Sequence, residues 1–170
     1  MRLEVERRSL TLREPLDASY GVVCDRELLC VALTGEDGVT GHGEAAPLES
    51  YEGPGVERVE QALERYRDVL AGSRGENGAQ ILDACRAVHD QPAALAAIDL
   101  ALWDRAGRRA GRPLAALLTD TPAAEVAVNA TITALDRAGA AEQAAHAVRH
   151  GFTCLKLKVG VGDDAGRVAA

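Results

Sequence analysis

The chain reads Gly-Phe-Thr-Cys-Leu-Lys-Leu-Lys-Val-Gly-Val-Gly over residues 151–162. In the middle of this stretch, Lys156 and Lys158 alternate with apolar residues, a pattern that predicts a β-strand with both lysines on one face. With a rise of about 3.3 Å per residue, the two side chains leave the backbone about 6.6 Å apart. Repulsion between two ammonium groups at that distance favours the loss of one proton, and a neutral lysine can act as a general base. The structural alternative is a solvated strand face, or an edge strand that lysines protect from aggregation.

The residues before this strand predict a β-α-β unit. Residues 125–131 have the composition of a strand, and Asp136 is a favourable N-cap for a helix. Gly151 ends that helix just before the strand that carries Lys156 and Lys158, called the lysine strand below. The residues expected on the inner face of the helix are Ala141, Ala144, Ala145 and Val148. Because a crossover of this kind joins parallel strands, residues 125–131 and the lysine strand are expected to be neighbours in one sheet.

The earlier part of the chain predicts an antiparallel sheet followed by helices. Alternating or apolar runs indicate strands over residues 3–12, 27–34 and 39–45. Proline and glycine bracket two expected loops, residues 16–22 and 48–54. Apolar residues at spacings of three and four predict helices over residues 56–72, 81–88 and 93–109, and a short turn at 114–118. In the third helix, we expect Trp103 to anchor the core and Asp104 to make a polar contact at the helix end.

Composition excludes several classes of function. The net charge of −7 and the isoelectric point near 5.1 argue against binding to nucleic acid or to an anionic membrane surface. Charges throughout residues 1–8, together with the lack of a long apolar run, predict neither a signal peptide nor a membrane span. The four cysteines lack the spacing of a metal site, and the reduced cytoplasm is the expected compartment. The histidines are expected to lie on different segments, without ligand spacing.

Further motifs make the pattern specific. The chain carries Gly-Glu-Ala-Ala-Pro at residues 43–47, Ala-Ile-Asp-Leu-Ala-Leu-Trp-Asp-Arg-Ala-Gly at residues 97–107 and Gly-Arg-Pro-Leu at residues 111–114, ahead of Leu-Lys-Leu-Lys-Val-Gly at residues 155–160. In this order the motifs resemble the N-terminal portion of the enolase superfamily, and within it the mandelate racemase/muconate lactonizing enzyme subgroup. Members of that subgroup include muconate cycloisomerases, o-succinylbenzoate synthases and dipeptide epimerases. The resemblance covers the whole chain.

The resemblance implies an α+β capping domain followed by the start of a TIM-like α/β barrel. The capping domain, a three-stranded antiparallel sheet plus a helical bundle, is expected over residues 1–121. Residues 122–170 are expected to supply the first two strands of the barrel, which is truncated here because a complete barrel needs about 250 residues. Active sites lie at the C-terminal mouth of such barrels, and the end of the lysine strand is expected at that mouth.

The resemblance also implies roles for particular residues. Lys158 is expected to be the acid/base lysine that moves a proton next to a carboxylate, and Lys156 to tune and orient it. The two loops of the capping domain are expected to close over the substrate, with contacts from Ser19, Tyr20, Ser50 and Tyr51. The alternative for either tyrosine is half-buried packing. Asn129 and Thr131 are expected to contact substrate in the barrel lumen or, alternatively, to make hydrogen bonds at the strand end.

The chemistry implied is abstraction of a proton α to the carboxylate of a small substrate, assisted by Mg²⁺. The metal ligands and a second catalytic lysine are expected on later barrel strands, outside these 170 residues. Dehydration or lactone formation, as in an o-succinylbenzoate synthase or a muconate cycloisomerase, is the preferred outcome, with a dipeptide epimerase or N-acylamino acid racemase as the alternative. We expect the 170 residues alone to be inactive and the full-length protein to be a homo-oligomer. A function of another class is a non-catalytic fragment that pairs with a partner chain through its open strand edge.

Overall fold

The computed structural model describes four segments of the chain: residues 1–18, 21–53, 55–160 and 162–170. They form two compact units. The first comprises residues 1–11 and 25–122, and the second comprises residues 12–24 and 123–170. No helix within the described segments is long and apolar enough to cross a membrane.

The elements follow one another as a sheet, a run of helices and a short β-α-β unit. The strands of the first sheet are β1 (Arg2–Ala18), β2 (Gly21–Thr34) and β3 (Thr40–Ala45). The helices that follow are α1 (Glu49–Glu52), α2 (Val56–Gly72), α3 (Gly78–Val88), α4 (Pro92–Ala110) and α5 (Leu114–Leu118). The last elements are β4 (Ala130–Ile132), α6 (Arg137–Arg149), β5 (Leu155–Leu157) and α7 (Asp164–Val168). The predicted order of strands and helices is therefore confirmed.

Two regions predicted as loops contain regular structure. Of residues 16–22, those up to Ala18 belong to β1 and those from Gly21 onward belong to β2. The prediction took the proline as the end of a strand. It was wrong because β1 is an edge strand in the order β1-β2-β3, and an edge strand tolerates a residue without an N–H. Residues 48–54 contain the single-turn helix α1, which is too short to leave a periodic pattern in the sequence.

The core of the first unit is formed by the sheet and by helices α2, α3 and α4. Strand β2 buries Leu29, Val31 and Leu33 at alternate positions, as expected for a strand with one face on a core. Helix α2 contributes the whole predicted apolar stripe, all of it buried: Val56, Val59, Leu63, Tyr66 and Leu70. The periodicity of the sequence therefore identified the inner face of this helix correctly.

Two polar groups in this core are neutral at ordinary pH. The Tyr66 hydroxyl donates a hydrogen bond to the carbonyl oxygen of His89 (2.5 Å), and burial raises the pKa of Tyr66 to about 12. Burial likewise raises the pKa of the Cys85 thiol to about 11. All four cysteines of the chain are free. Cys85 is consequently a packing residue, because the reactive form of cysteine is the thiolate.

Helix α4 lies directly on strand β3, and two glycines make this contact possible. A Cβ atom on Gly43 would stand 2.0 Å from the carbonyl oxygen of Ala97, and one on Gly41 would stand 2.1 Å from the carbonyl oxygen of Ala101. Both obstacles are backbone atoms, which cannot rotate away. The glycines of the Gly-His-Gly sequence are therefore required for close approach of the helix to the sheet.

Asp104 joins the same helix to the edge of the sheet. One carboxylate oxygen, Oδ2, accepts hydrogen bonds from the backbone N–H of His42 (2.8 Å) and from Nε of Arg108 (2.7 Å). Burial works against the charged carboxylate, but these two donors outweigh it, and the pKa of Asp104 lies below its ordinary value. The contact therefore stabilises the fold at neutral pH and is lost as the pH falls through that lowered pKa.

The predictions for the two neighbouring residues of α4 are wrong. Asp104 lies inside the helix and satisfies a strand N–H, so it is not a helix-end contact. Trp103 is 38% exposed and does not anchor the core. The buried side of α4 is instead made of small residues such as Ala97 and Ala101, because only small side chains allow the close approach of β3.

The second unit contains the predicted parallel β-α-β arrangement. Strands β4 and β5 pair in parallel, and helix α6 connects them. Asp136 is the N-cap, as predicted, and its side chain accepts a hydrogen bond from the N–H of Gly139 (2.9 Å). At the other end, Gly151 has a φ of +88°, and the N–H of Phe152 donates to the carbonyl oxygen of Ala147 (3.1 Å). This is the hydrogen-bond pattern of a Schellman cap, which needs glycine at that position.

Two details of this unit differ from the predictions. Strand β4 covers Ala130–Ile132, whereas a strand was expected over residues 125–131. The inner face of α6 is formed by Ala140 and Ala147, and Val148 is 60% exposed. The prediction placed the face about one residue too far along the helix, because alanines occur all around α6 and the apolar pattern is weak.

Candidate functional site

The candidate site is the C-terminal end of the parallel pair β4 and β5. Thr131 is the register partner of Lys156, and partners in a parallel sheet carry their side chains on the same face. The ladder continues past the strand, because the N–H of Lys158 donates to the carbonyl oxygen of Ile132 (3.2 Å). The opposite face of β4 carries Ile132, which is buried. Lys156 and Thr131 therefore lie on the polar face of the sheet, and Lys158 lies where the pairing ends.

Asn129 lies at the other end of the same short ladder. It precedes β4, and the ladder begins one residue later, where the N–H of Ala130 donates to the carbonyl oxygen of Cys154 (3.0 Å). Both Asn129 and Thr131 are exposed. The structure brings Thr131 beside Lys156, while a contact of either Asn129 or Thr131 with substrate stays a prediction.

The four residues predicted on the capping-domain loops fall into two groups. Ser19 and Tyr20 lie outside the described residues. Ser50 and Tyr51 lie on the short helix α1, in the first unit, and both are exposed. The exposed fraction of Tyr51 is 72%, which does not fit the half-buried alternative. Their contact with substrate stays a prediction.

A polar network behind the lysine strand was missed by the sequence reasoning. The carboxylate of Asp164 accepts a hydrogen bond from the N–H of Gly160 through Oδ2 (2.8 Å) and forms an ion pair with Arg167. The same guanidinium donates from Nη1 to the carbonyl oxygen of Ala134 (3.0 Å). A carboxylate and an arginine three residues apart were visible in the sequence, but that spacing is also common on exposed helices.

The described residues offer no metal site. Among residues 1–18, 21–53, 55–160 and 162–170, no group of three or more histidine, cysteine, aspartate or glutamate side chains could hold an ion. The expectation that the histidines lie on different segments is wrong for one pair. His146 and His150 lie one turn apart around the end of α6, and their rings are 4.1 Å apart between centroids.

Comparison with known proteins gives this arrangement a context. A sequence model described as "Mandelate racemase / muconate lactonizing enzyme, N-terminal domain" matches residues 2–119. The chain belongs to this family. The expected membership of the enolase superfamily is thereby confirmed, as is the fold of a capping domain followed by the start of a barrel.

Relatives of known activity are racemases and epimerases. The N-succinyl-L-Arg/Lys racemase of Bacillus cereus is 29% identical over 165 residues, which are 95% of this chain and 45% of the racemase. A hydrophobic dipeptide epimerase from a Flavobacteria bacterium is 35% identical over 118 residues, which are 69% of this chain and 33% of the epimerase. These names match the alternative, a dipeptide epimerase or N-acylamino acid racemase, better than the preferred o-succinylbenzoate synthase or muconate cycloisomerase.

A solved structure extends the similarity to both units of the chain. The dipeptide epimerase of Enterococcus faecalis, in complex with Mg and the dipeptide L-Leu-L-Tyr, has a TM-score of 0.90 and 27% identity, and the match covers 99% of this chain and 48% of that protein. The substrate-liganded L-Ala-D/L-Glu epimerase of Bacillus subtilis has a TM-score of 0.84 at 27% identity, with coverage of 99% and 48%. The chain thus spans about half the length of the relatives it matches.

Proposed function

We propose that these residues are the N-terminal part of an enzyme that inverts the α-carbon of an N-acylated amino acid, either a dipeptide or an N-succinyl amino acid. The observation that carries the proposal is the position of Lys156 and Lys158 at the end of a parallel ladder, beside Thr131. Relatives that share this portion of the chain are racemases and epimerases.

The reaction requires a base beside the α-carbon of a carboxylate. We assign that role to Lys158, because strand ends at the mouth of an α/β barrel are where such enzymes hold their reacting groups. In its neutral form Lys158 has a lone pair on Nζ that can accept the α-proton. The Thr131 hydroxyl, which can donate or accept, is placed to hydrogen bond a polar group of the substrate near Lys156.

The substrate class follows from what the relatives have in common. Their names specify dipeptides and N-succinyl amino acids, which share an amide nitrogen and a carboxylate on the carbon that inverts. Side-chain preference differs among them, from hydrophobic to cationic to acidic. We therefore propose an N-acyl α-amino carboxylate as the substrate class. The side-chain preference for the substrate is to be determined by assay. Ser50 and Tyr51, exposed on α1, are our candidates for contacts with that side chain.

Magnesium dependence is proposed for the whole protein on the basis of its relatives. The Enterococcus faecalis epimerase was solved in complex with Mg, whereas the described residues of this chain contain no cluster that could hold an ion. The ligands are accordingly expected on strands that follow residue 170. A homo-oligomeric full-length protein also stays a prediction.

The experiment that tests the proposed function is a substrate panel for the full-length protein with Mg²⁺ in D₂O. The panel contains L-Ala-L-Glu, L-Leu-L-Tyr, L-Lys-L-Arg and N-succinyl-L-arginine, with loss of the α-proton followed by NMR and inversion followed by chiral chromatography. Inversion with deuterium uptake in at least one member is expected. Absence of both inversion and deuterium uptake in every member of the panel would contradict the proposal. The isolated 170 residues are expected to give no turnover. Turnover by them would refute the expectation that these residues alone are inactive.

A further inference from the structure

The backbone around Lys158 is held on both sides by hydrogen bonds. On one side, its own N–H donates to the carbonyl oxygen of Ile132 in β4 (3.2 Å). On the other side, the N–H of Gly160, two residues later, donates to Oδ2 of Asp164 (2.8 Å). Gly160 has a φ of +90°, a conformation that favours glycine and turns the chain sharply after the strand. Asp164 therefore fixes the point at which the lysine strand ends.

Asp164 is itself held by a buried arginine. The side chain of Arg167 is 0% exposed, and its guanidinium forms an ion pair with Asp164 while Nη1 donates to the carbonyl oxygen of Ala134 (3.0 Å). Ala134 follows β4 by two residues. A buried guanidinium is costly unless it is paired, and here its rigid, planar fork connects the segment after β4 to the segment after β5. The Arg167 side chain thereby sets the distance between the ends of the two strands.

The neighbouring carboxylate, Asp163, makes different contacts. Its Oδ1 caps α7 by accepting a hydrogen bond from the N–H of Gly166 (3.0 Å), and its Oδ2 pairs with Arg137 (3.0 Å). Both members of this pair are more than half exposed, and exposed ion pairs contribute little to stability. Asp163 and Asp164 are adjacent in sequence and have the same charge, but among the described residues it is Asp164 that accepts the hydrogen bond from the N–H of Gly160.

We propose that Asp164 and Arg167 are positioning residues for the α-proton transfer, an inference that rests on the proposed role of Lys158. They hold the end of the lysine strand against β4, and with it the direction from which the Lys158 amine approaches the α-carbon. Proton transfer is sensitive to such placement, since a shift of about 1 Å in a reacting group can cost about 100-fold in rate. The Asp164–Arg167 pair is expected to matter for the rate of the chemical step and not for binding of the substrate.

The test compares Asp164→Asn with Asp163→Asn in the full-length protein. The two variants remove the same charge from adjacent positions, and asparagine keeps the N-cap of α7. Asp164→Asn is expected to lower kcat by about 10- to 100-fold with KM changed by less than about twofold, whereas Asp163→Asn stays close to the wild type. Equal kcat values for Asp164→Asn and the wild type, or equal losses in both variants, would overturn the proposal.

A second variant and a second readout keep the test decisive. Arg167→Lys retains the positive charge but replaces the planar fork, whose Nη1 and Nη2 contact Ala134 and Asp164, with a single nitrogen. A loss of kcat similar to that of Asp164→Asn is expected. Hydrogen exchange of the Gly160 N–H should be faster in both variants and unchanged in Asp163→Asn. This readout does not depend on activity. If the wild type inverts no substrate, the proposed function fails. Separately, unchanged exchange of the Gly160 N–H in Asp164→Asn and Arg167→Lys would show that Asp164 does not hold the strand end.

Discussion

Replacing Lys158 with alanine in the full-length protein is expected to lower kcat for α-carbon inversion by about 10³-fold, the middle of the range that general acid–base catalysis contributes. KM should change little, because the role assigned to Lys158 is exercised in the transition state. Lys158→Arg is expected to be equally impaired, since arginine keeps the charge but does not release its proton at neutral pH. The measurement is steady-state inversion of the best substrate of the panel, followed by chiral chromatography.

The control for this prediction is Arg86→Ala, which removes an exposed cation of α3 in the first unit. Its kcat should lie within about twofold of the wild type, because surface charges away from a site have small effects. The chain has only two lysines, Lys156 in β5 and Lys158 just after it. Retention of activity by Lys158→Arg would show that the Lys158 amine is not the base. It would then follow that residue 158 contributes to catalysis only through its positive charge.

Replacing Gly43 with alanine is expected to destabilise the protein by about 3 kcal/mol or more, at the upper end of the usual cost of overpacking. The added Cβ would stand 2.0 Å from the carbonyl oxygen of Ala97, so helix α4 would have to move away from strand β3. That movement would also lengthen the hydrogen bond between the N–H of His42 and Asp104. The measurement is the free energy of unfolding from denaturation in urea.

Gly72→Ala is the matched control for the effect on stability. Gly72 is the last residue of α2, and a Cβ atom there would meet nothing within 4 Å. Alanine is favoured over glycine in a helix by up to about 1 kcal/mol, so this variant should be as stable as the wild type or slightly more stable. A loss for Gly43→Ala no larger than the change for Gly72→Ala would mean that α4 does not lie against β3 as described.

The helices of the first unit could be predicted from sequence because their cores are periodic. The stripe from Val56 to Leu70 repeats every three or four residues, and each of its members is buried. The predicted starts were less accurate where capping decides the boundary. Helix α3 begins at Gly78 because Asn77 and Gln80 form a capping box, and α4 begins at Pro92 after Gln91 caps it. These first turns carry little apolar periodicity, so the predicted start was three residues too late for α3 and one residue too late for α4.

For the strands, the type of element could be predicted from the sequence but its length could not. Val126 and Val128 alternate like strand residues, but both are exposed and lie outside β4. Alternation predicts that a segment can form a strand, whereas pairing depends on a neighbour. In the described part of the chain, β4 has β5 as its neighbour only over three residues, Ala130–Ile132. The prediction was therefore right about the type of element and wrong about its extent.

For the candidate site, the sequence revealed the side chains but not what holds them. Lys156 and Lys158 stood out because they interrupt an apolar strand that glycine ends. The Asp164–Arg167 network could not be inferred, because one partner of Arg167 is the backbone carbonyl oxygen of Ala134, thirty-three residues away. A backbone acceptor has no signature in sequence, and the distance is closed only by the β-α-β crossover.

The most direct measurement on Lys158 is deuterium uptake from each α-carbon epimer of the substrate separately, in the full-length protein and in Lys158→Ala. A single lysine can reach the α-carbon from one face only, so inversion requires a second proton donor on the opposite face. The wild type is expected to exchange the α-proton of both epimers. In Lys158→Ala, exchange of one epimer is expected to fall by about 10³-fold while the other epimer continues to exchange. Exchange of both epimers at wild-type rates in Lys158→Ala would contradict the assignment of Lys158 as a base.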